Sequence, residues 1–326
     1  MRPAAPLAVL ALSCALANAA PAAQPSADNY PNKPVRWVVT FTPGASNDMV
    51  ARLIAAKLTD AFGQQFIVDN RAGAGGLIGA DTVAKGVPDG YTLLLTNPAP
   101  NINAPLLVKT APYKVEDFTP VIFFGYTPLI IAAYPNVPVK TPKELIAYAK
   151  ANPGKLTWGS SGNGSSLHIG LALLQHATGI DVVHVPYKGT APALTDLVGG
   201  QIQLMHTTKV SADAQIRAGR VKVIGIASAK RSATLPDIPT LAEQGIRDAE
   251  AVTWFGMAAP PRMPRAIVEK LNAASNKVLQ MPDVKKRLEE DAVEIQGGSP
   301  EQFEAFIKRE ASRLQTLIRV GALKRE

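Results

Sequence analysis

The first patterned stretch of the chain is an apolar run, Val35-Arg36-Trp37-Val38-Val39-Thr40-Phe41, bounded by Pro34 on one side and Thr42-Pro43-Gly44 on the other. A short, nearly continuous apolar run between turn signals predicts a strand buried on both faces. "SNDMVARLIAAKLTDAFG" follows at helical spacing, with Met49, Leu53, Ala56 and Leu58 on or near one stripe and Gly63 as the stop. "QFIVDN" predicts a second strand, "GLIGADTVAKG" a second helix and "YTLLLTN" a third strand. Strands and helices alternating through short links predict a parallel, doubly wound sheet.

Two more strands, "FTPVIFFG" and "PLIIAAYP", come next. "TPKELIAYAK" has the marks of a helix start: Thr141 as N-cap, Pro142 at the first helical position and Glu144 closing a capping box. "LTWGSSGNGSSLHIGLALLQHATG" predicts strand, loop and helix. "DVVHVPY", "IQLMHT" and "VKVIGIAS" predict strands, and "APALTDLVGG" a short helix. From about Pro264 the pattern is mainly helical, with another capped start at Ser299-Pro300-Glu301-Gln302. Trp254-Phe255 is expected in the core or at a lobe interface. A chain of 326 residues exceeds one ordinary core, so two lobes or one large α/β domain are expected. No fixed-period repeat or low-complexity linker appears, so a lobe boundary has to be a crossing of extended strands.

Composition narrows the class. Hydrophobic residues make up 47% and charged residues 18%, the latter below the usual ~25%, which excludes a disordered or coiled-coil chain. The formal net charge of +8 favours anionic ligands, but the Lys and Arg are dispersed. The densest groups, Lys285-Lys286-Arg287 and Lys324-Arg325, stand beside acids and read as solvated faces, so no nucleic-acid partner is expected. Arg2, the apolar stretch "LAVLALSCALA" and the small residues of "ANAAPAA" make a secretory signal over residues 1–23, with the cut near Ala19–Ala23. The only cysteine, Cys14, lies inside it. Lipid anchoring at Cys14 is the weaker reading, because Ala11 stands where a Leu is usual. Export of a chain left without thiols suits a bacterial periplasm. "VIFFGYTPLIIAAY" is broken by Gly125 and Pro128 and fits buried strands better than a membrane span.

Three junctions rich in Gly, Ser and Asn carry the candidate chemistry: Thr42 to Asp48, Asn70 to Ala80 and Gly159 to His168. A helix begins just after each, so free N–H groups and a positive dipole end face the junction, an arrangement that holds anions without an Arg. A plain N-capped turn is the alternative at any single junction. Enzyme and cofactor motifs fail. Gly73 and Gly75 fit a dinucleotide fingerprint, but Ile78 takes the third glycine position, and Asn163 replaces the last glycine of a nucleophile elbow. His168, His176, His184 and His206 show no zinc spacing and read as ordinary hydrogen-bonded or surface histidines. His168 is the exception, since it stands in the first turn after the glycine-serine loop. No metal and no cofactor are expected.

With these residues in view the chain resembles the Bug, or TctC-type, extracytoplasmic solute receptors of the tripartite tricarboxylate transporter group. The resemblance rests on "YPNKPVRWVVTFTPGASNDMVARLIAAKL", "VDNRAGAGGLIGADTVAKGVPDGYTLLL", "WGSSGNGSSLH", "VHVPYKGTAPALTDLVGGQIQLM" and "LPDIPTLAEQG", which together span nearly all of the chain after the signal. It implies a type II-like periplasmic-binding-protein fold, two doubly wound α/β lobes with the chain crossing twice. Residues 24–125 and 228–326 would form one lobe and 126–227 the other. It implies a small carboxylate held between the lobes, and delivery by a monomer to the permease subunits of a membrane transporter. Carried onto this chain, Gly44, Ala45, Ser46 and Asp48 make one jaw, with Asp48 tying the loop's own amides. Ser160, Ser161, Gly162, Asn163, Gly164 and Ser165 make the other, and Asn97 and Tyr187 line the cleft. Thr42 and Ala45 stand where the family commonly has Pro and Gly. His206-Thr207-Thr208 stands where it often has Phe-Asp, so Thr207 faces the far part of the ligand. Two other functions are weighed. One is a secreted hydrolase using Ser161 or Ser165 as nucleophile and His168 or His184 as base, for which no orienting acid is evident. The other is a sensor subunit that presents its ligand without transport, which uses the same lobe closure.

Overall fold

The computed structural model describes residues 28–325, so the predicted signal segment and Cys14 lie outside the described residues. Strand β1 (Val35–Val39) leads to helix α1 (Ser46–Phe62), strand β2 (Phe66–Asn70), helix α2 (Leu77–Ala84) and strand β3 (Thr92–Thr96). β1 pairs in parallel with both β2 and β3, as the alternating pattern predicts. A short π-helical turn (Ala99–Asn103) and helix α3 (Ala104–Leu107) lead to the long strand β4 (Thr119–Pro128).

The second sheet is built from β5 (Ile130–Ala133), helix α4 (Pro142–Ala151), β6 (Thr157–Ser160), α5 (Ser166–Thr178), β7 (Val183–Pro186), α6 (Thr190–Val198), β8 (Leu204–Thr207), α7 (Lys209–Arg217) and β9 (Lys222–Ile226). The chain then returns through β10 (Val252–Ala259), α8 (Arg265–Leu279), α9 (Pro282–Glu290), β11 (Glu294–Ile295) and α10 (Pro300–Arg319). The sheet orders are β11-β4-β10-β3-β1-β2 and β7-β6-β8-β5-β9. Each sheet is thus parallel at one side and antiparallel where the crossing strands join it. The molecule is a two-lobed α/β protein. One core gathers Trp37, Ile54, Leu95, Phe124 and Phe255, and the other Ile131, Trp158, Leu171 and Met205.

Three local expectations are corrected. The buried stripe of α1 is Val50, Ala51, Ile54, Ala55 and Leu58, while Met49 and Leu53 are half-buried and Ala56 is exposed. The stripe is centred about one residue further on, roughly 100° around the helix. Glu144 bonds the backbone N–H of Lys140 (2.7 Å), one residue before the cap, so the capping box at Thr141 is not closed, although Thr141 Oγ1 accepts from Glu144 N–H. The box at Ser299 and Gln302 is complete. Strand β10 was not predicted at all. It is central in the first sheet and sends alternate residues to opposite faces: Phe255 into the main core, Trp254 onto Phe123, Phe303 and Phe306.

The chain crosses between sheets at Pro128–Ile130 and again between Ile226 and Val252. The crossing segments bond to each other. Leu129 N–H donates to Ala251 O (3.0 Å), Ala251 N–H to Ala227 O (2.9 Å) and Ala227 N–H to Leu129 O (2.8 Å). Strand β4 stays in the first sheet to Pro128, past the expected boundary at residue 125. Leu241, Ile246, Ala249 and Ala251 pack in the second core, past the expected return at residue 228.

Candidate functional site

At the end of β1 the chain turns through Gly44, whose φ of +80° suits glycine, into α1. Asp48, in the first turn, is almost fully buried and binds inward. Its carboxylate accepts from Gly44 N–H (3.0 Å), Asn70 Nδ2 (3.0 Å) and Arg52 Nε (3.0 Å). Asn70 Nδ2 also donates to Phe41 O. Burial raises the carboxyl pKa, but these hydrogen bonds and the Arg52 charge outweigh it and hold Asp48 below the usual carboxylate range. The N-cap residue Ala45 offers no side-chain acceptor, so the first amides of α1 are left to outside partners.

The facing loop leaves β6 at Ser160. Ser160 Oγ lies 2.7 Å from His184 Nε2 and accepts from Gly162 N–H (3.1 Å). Ser165 caps α5 by accepting from His168 N–H, and Gly164 N–H donates to His168 Nδ1 (3.2 Å). The rings of His168 and His184 stack at 4.1 Å, nearly parallel. Burial lowers the pKa of His168 below its ordinary value.

Between these loops is a polar cavity of about 20 Å³, lined by the starts of four helices. Ser46 and Asn47 come from α1, Ser166 and Leu167 from α5, Thr190 from α6, and Thr208 and Ser211 from α7. Phe41, Asn97, Ser161 and Thr253 complete the lining, and none of these residues is charged. Asn97 Oδ1 accepts from Ala99 N–H, which fixes the amide and leaves its buried Nδ2 without a partner. Four positive dipole ends around an uncharged cavity are an arrangement that favours an anion.

The lobes touch around this cavity. A Cβ on Gly75 would lie 2.3 Å from Asn163 O, and one on Gly189 would lie 2.5 Å from Thr42 Oγ1. Asn103 Nδ2 donates to Gly164 O (2.8 Å), and Ser46 N–H to Ser211 Oγ (3.2 Å). Of the expected site residues, Ser46, Asn97 and Ser161 line the cavity. Gly44, Ala45, Asp48, Ser160, Gly162, Ser165 and His168 shape the two loops. Thr42, Asn163 and Gly164 meet the opposite lobe. The 70–80 junction supplies the Gly75 contact and no lining residue.

Two expected residues point elsewhere. Tyr187 donates its hydroxyl to Asp196 (2.7 Å) within its own lobe. Thr207 is fully buried on β8 and does not line the cavity; the next residue, Thr208, does. Among the polar lining residues, the sequence reading did not name Asn47, Ser166, Thr190, Thr208, Ser211 and Thr253 as site residues. The caps Ser165 and Thr208, each ahead of a helix, were the available signal. The close serine–histidine contact falls on fully buried Ser160 and not on the serines weighed as nucleophiles, and the oxygen of Ser165 is spent on its cap.

The protein is similar to known proteins over most of its length. BugT of Bordetella pertussis is 37% identical over 306 residues, covering 93% of this chain and 94% of the relative. A solved R. palustris structure, Rpa4515 with adipate, is 35% identical with a TM-score of 0.86, covering 89% of this chain and 98% of that one. MatC from Rhodopseudomonas palustris with bound malate is 33% identical with a TM-score of 0.84, covering 89% and 100%. The family described as "Tripartite tricarboxylate transporter family receptor", TctC, matches residues 50–323, and this chain belongs to it.

Proposed function

We propose that the protein is a periplasmic solute receptor that closes on a small carboxylate and delivers it to the permease subunits of a tripartite tricarboxylate transporter. The observation that carries this reading is the convergence of four helix N-termini on a cavity with no charged lining residue. Such a site stabilises a carboxylate by dipoles and hydrogen bonds, and closure strengthens both by removing water. The adipate and malate held by the two similar receptors support a carboxylate ligand. Family membership supports the transporter partner and, with it, the compartment.

The lining also bears on which acid. A buried ammonium needs a carboxylate partner, and without one it costs several kcal/mol. The cavity offers none, so mono- and dicarboxylates are expected to bind ahead of amino acids. Thermal unfolding with a panel containing malate, adipate, succinate, aspartate and glutamate tests this. An acid at 100 times its Kd is expected to stabilise by ~2.7 kcal/mol. Stabilisation by the amino acids alone overturns the ligand assignment, and none by any acid overturns the receptor reading.

A further inference from the structure

Ser211 stands where the two lobes and the cavity meet. Its Oγ accepts from the Ser46 N–H of the first lobe (3.2 Å) and from the Thr208 hydroxyl (2.9 Å). Thr208 Oγ1 in turn accepts from Ser211 N–H, which caps α7. A serine hydroxyl has two lone pairs and one hydrogen. With both lone pairs engaged, the only capacity left to Ser211 is to donate, and the residue lies on the cavity wall.

The same helix is tied to the first lobe at a second point, away from the cavity. Lys209 Nζ donates to Glu290 O (2.8 Å) at the end of α9 and pairs with Asp213 on its own helix (3.1 Å). Closure therefore docks α7 on the first lobe through two contacts, and one of them also fixes the role of a cavity hydroxyl.

We propose that Ser211 contacts the ligand and that lobe closure sets its direction: docking against Ser46 N–H fills its second lone pair and commits its O–H as a donor to an oxygen of the bound acid. Opening removes the Ser46 N–H and frees the hydroxyl to rotate or to accept. The ligand atom it serves is a carboxylate or hydroxyl oxygen, and a nitrogen bearing only N–H donors is excluded. The proposal rests on the carboxylate-receptor reading of the same cleft. Lys209 shares the docking but not the cavity, so it serves as the control for closure alone.

The test is calorimetry on the mature protein with malate, succinate and adipate, comparing wild type with Ser211→Ala, Ser211→Thr and Lys209→Ala. Lys209→Ala is expected to weaken every acid that binds by one common factor. Ser211→Ala is expected to weaken binding about tenfold or more, by unequal factors among the acids, because the lost donor meets different oxygens. Ser211→Thr, which keeps the hydroxyl, is expected to recover part of the loss. A Ser211→Ala loss that is uniform across the acids overturns ligand contact and leaves a docking contact only. No loss overturns the assignment entirely. If wild type binds none of the three acids, the receptor reading fails first and this proposal with it.

Discussion

In the first lobe, the loop ahead of α1 is held by charge: Asp48 gathers Gly44 N–H, Asn70 and Arg52 beneath it. In the second lobe, the loop ahead of α5 is held by neutral groups, with Gly164 N–H on His168 Nδ1 and Ser160 against His184. Both loops do the same work, presenting the start of a helix to one cavity, yet they respond to acid in different windows. Asp48 has a lowered folded pKa, so its contribution is complete above the ordinary carboxylate value of ~3.9 and is lost as pH falls through the folded value. His168 is held neutral by burial, so the unfolded chain takes up its proton first and stability falls as pH drops below ~6.5. Protonation at Nδ1 also removes the acceptor for Gly164 N–H. Mild acid should therefore cost stability through the second jaw while the first keeps its full contribution.

The strongest way to break this pairing is to keep the jaws apart. Gly75→Ala places a Cβ against the Asn163 backbone, at a φ of +63° that also disfavours a side chain. Carboxylate affinity is expected to fall about a hundredfold, ~2.7 kcal/mol. The melting temperature without ligand should drop only by the smaller cost of a left-handed alanine, ~1 kcal/mol. Calorimetry and thermal melts separate the two, and unchanged affinity would mean that closure does not need the Gly75–Asn163 approach.

Asp48→Asn tests the charged jaw with a smaller expected effect. The shape is kept while the charge that Arg52 and Gly44 N–H share is lost, for about 1.5 kcal/mol of stability at neutral pH. Denaturant unfolding should show that difference at pH 7 shrinking as pH falls below ~3.9, where the unfolded wild-type carboxylate takes up its proton.

The titration of the neutral jaw is read as a slope and not as a single loss. Between pH 6.5 and 5 each histidine kept neutral by the fold steepens the loss of stability by up to ~1.4 kcal/mol per pH unit. His206, fully buried and pushed down to about 3 by burial, contributes in the same window. His168→Gln should remove one share of that slope and leave the His206 share, as read by unfolding at several pH values. An unchanged slope would mean that His168 protonates freely in the folded protein.

Much of this was legible in the residues. The βαβαβ order and the two loops ahead of α1 and α5 follow from apolar spacing and from small residues placed before helices, while the inward role of Asp48 is implied by the family resemblance. The less legible parts share a cause. β10 is a strand whose meaning depends on β3 and β4, residues more than a hundred positions earlier. Thr190, Thr208, Ser211 and Thr253 reach the cavity only because one lobe folds over the other, and no local pattern encodes that approach. Thr207 is expected at the site only because it stands where the family often has Asp; strand alternation flips a side chain with each residue, so a shift of one position exchanges a wall residue for a buried one.

The three hydrogen bonds that tie the two crossings together have a mechanical consequence. Leu129, Ala227 and Ala251 are cross-linked to one another, so the connectors can bend and twist together but cannot slide independently. Such a joint leaves the two lobes close to one rotational freedom, and opening becomes a quantity that a single ruler can follow. Residues 75 and 163 approach each other from opposite lobes, and residues 28–325 contain no cysteine, so one labelled pair placed nearby would read the motion.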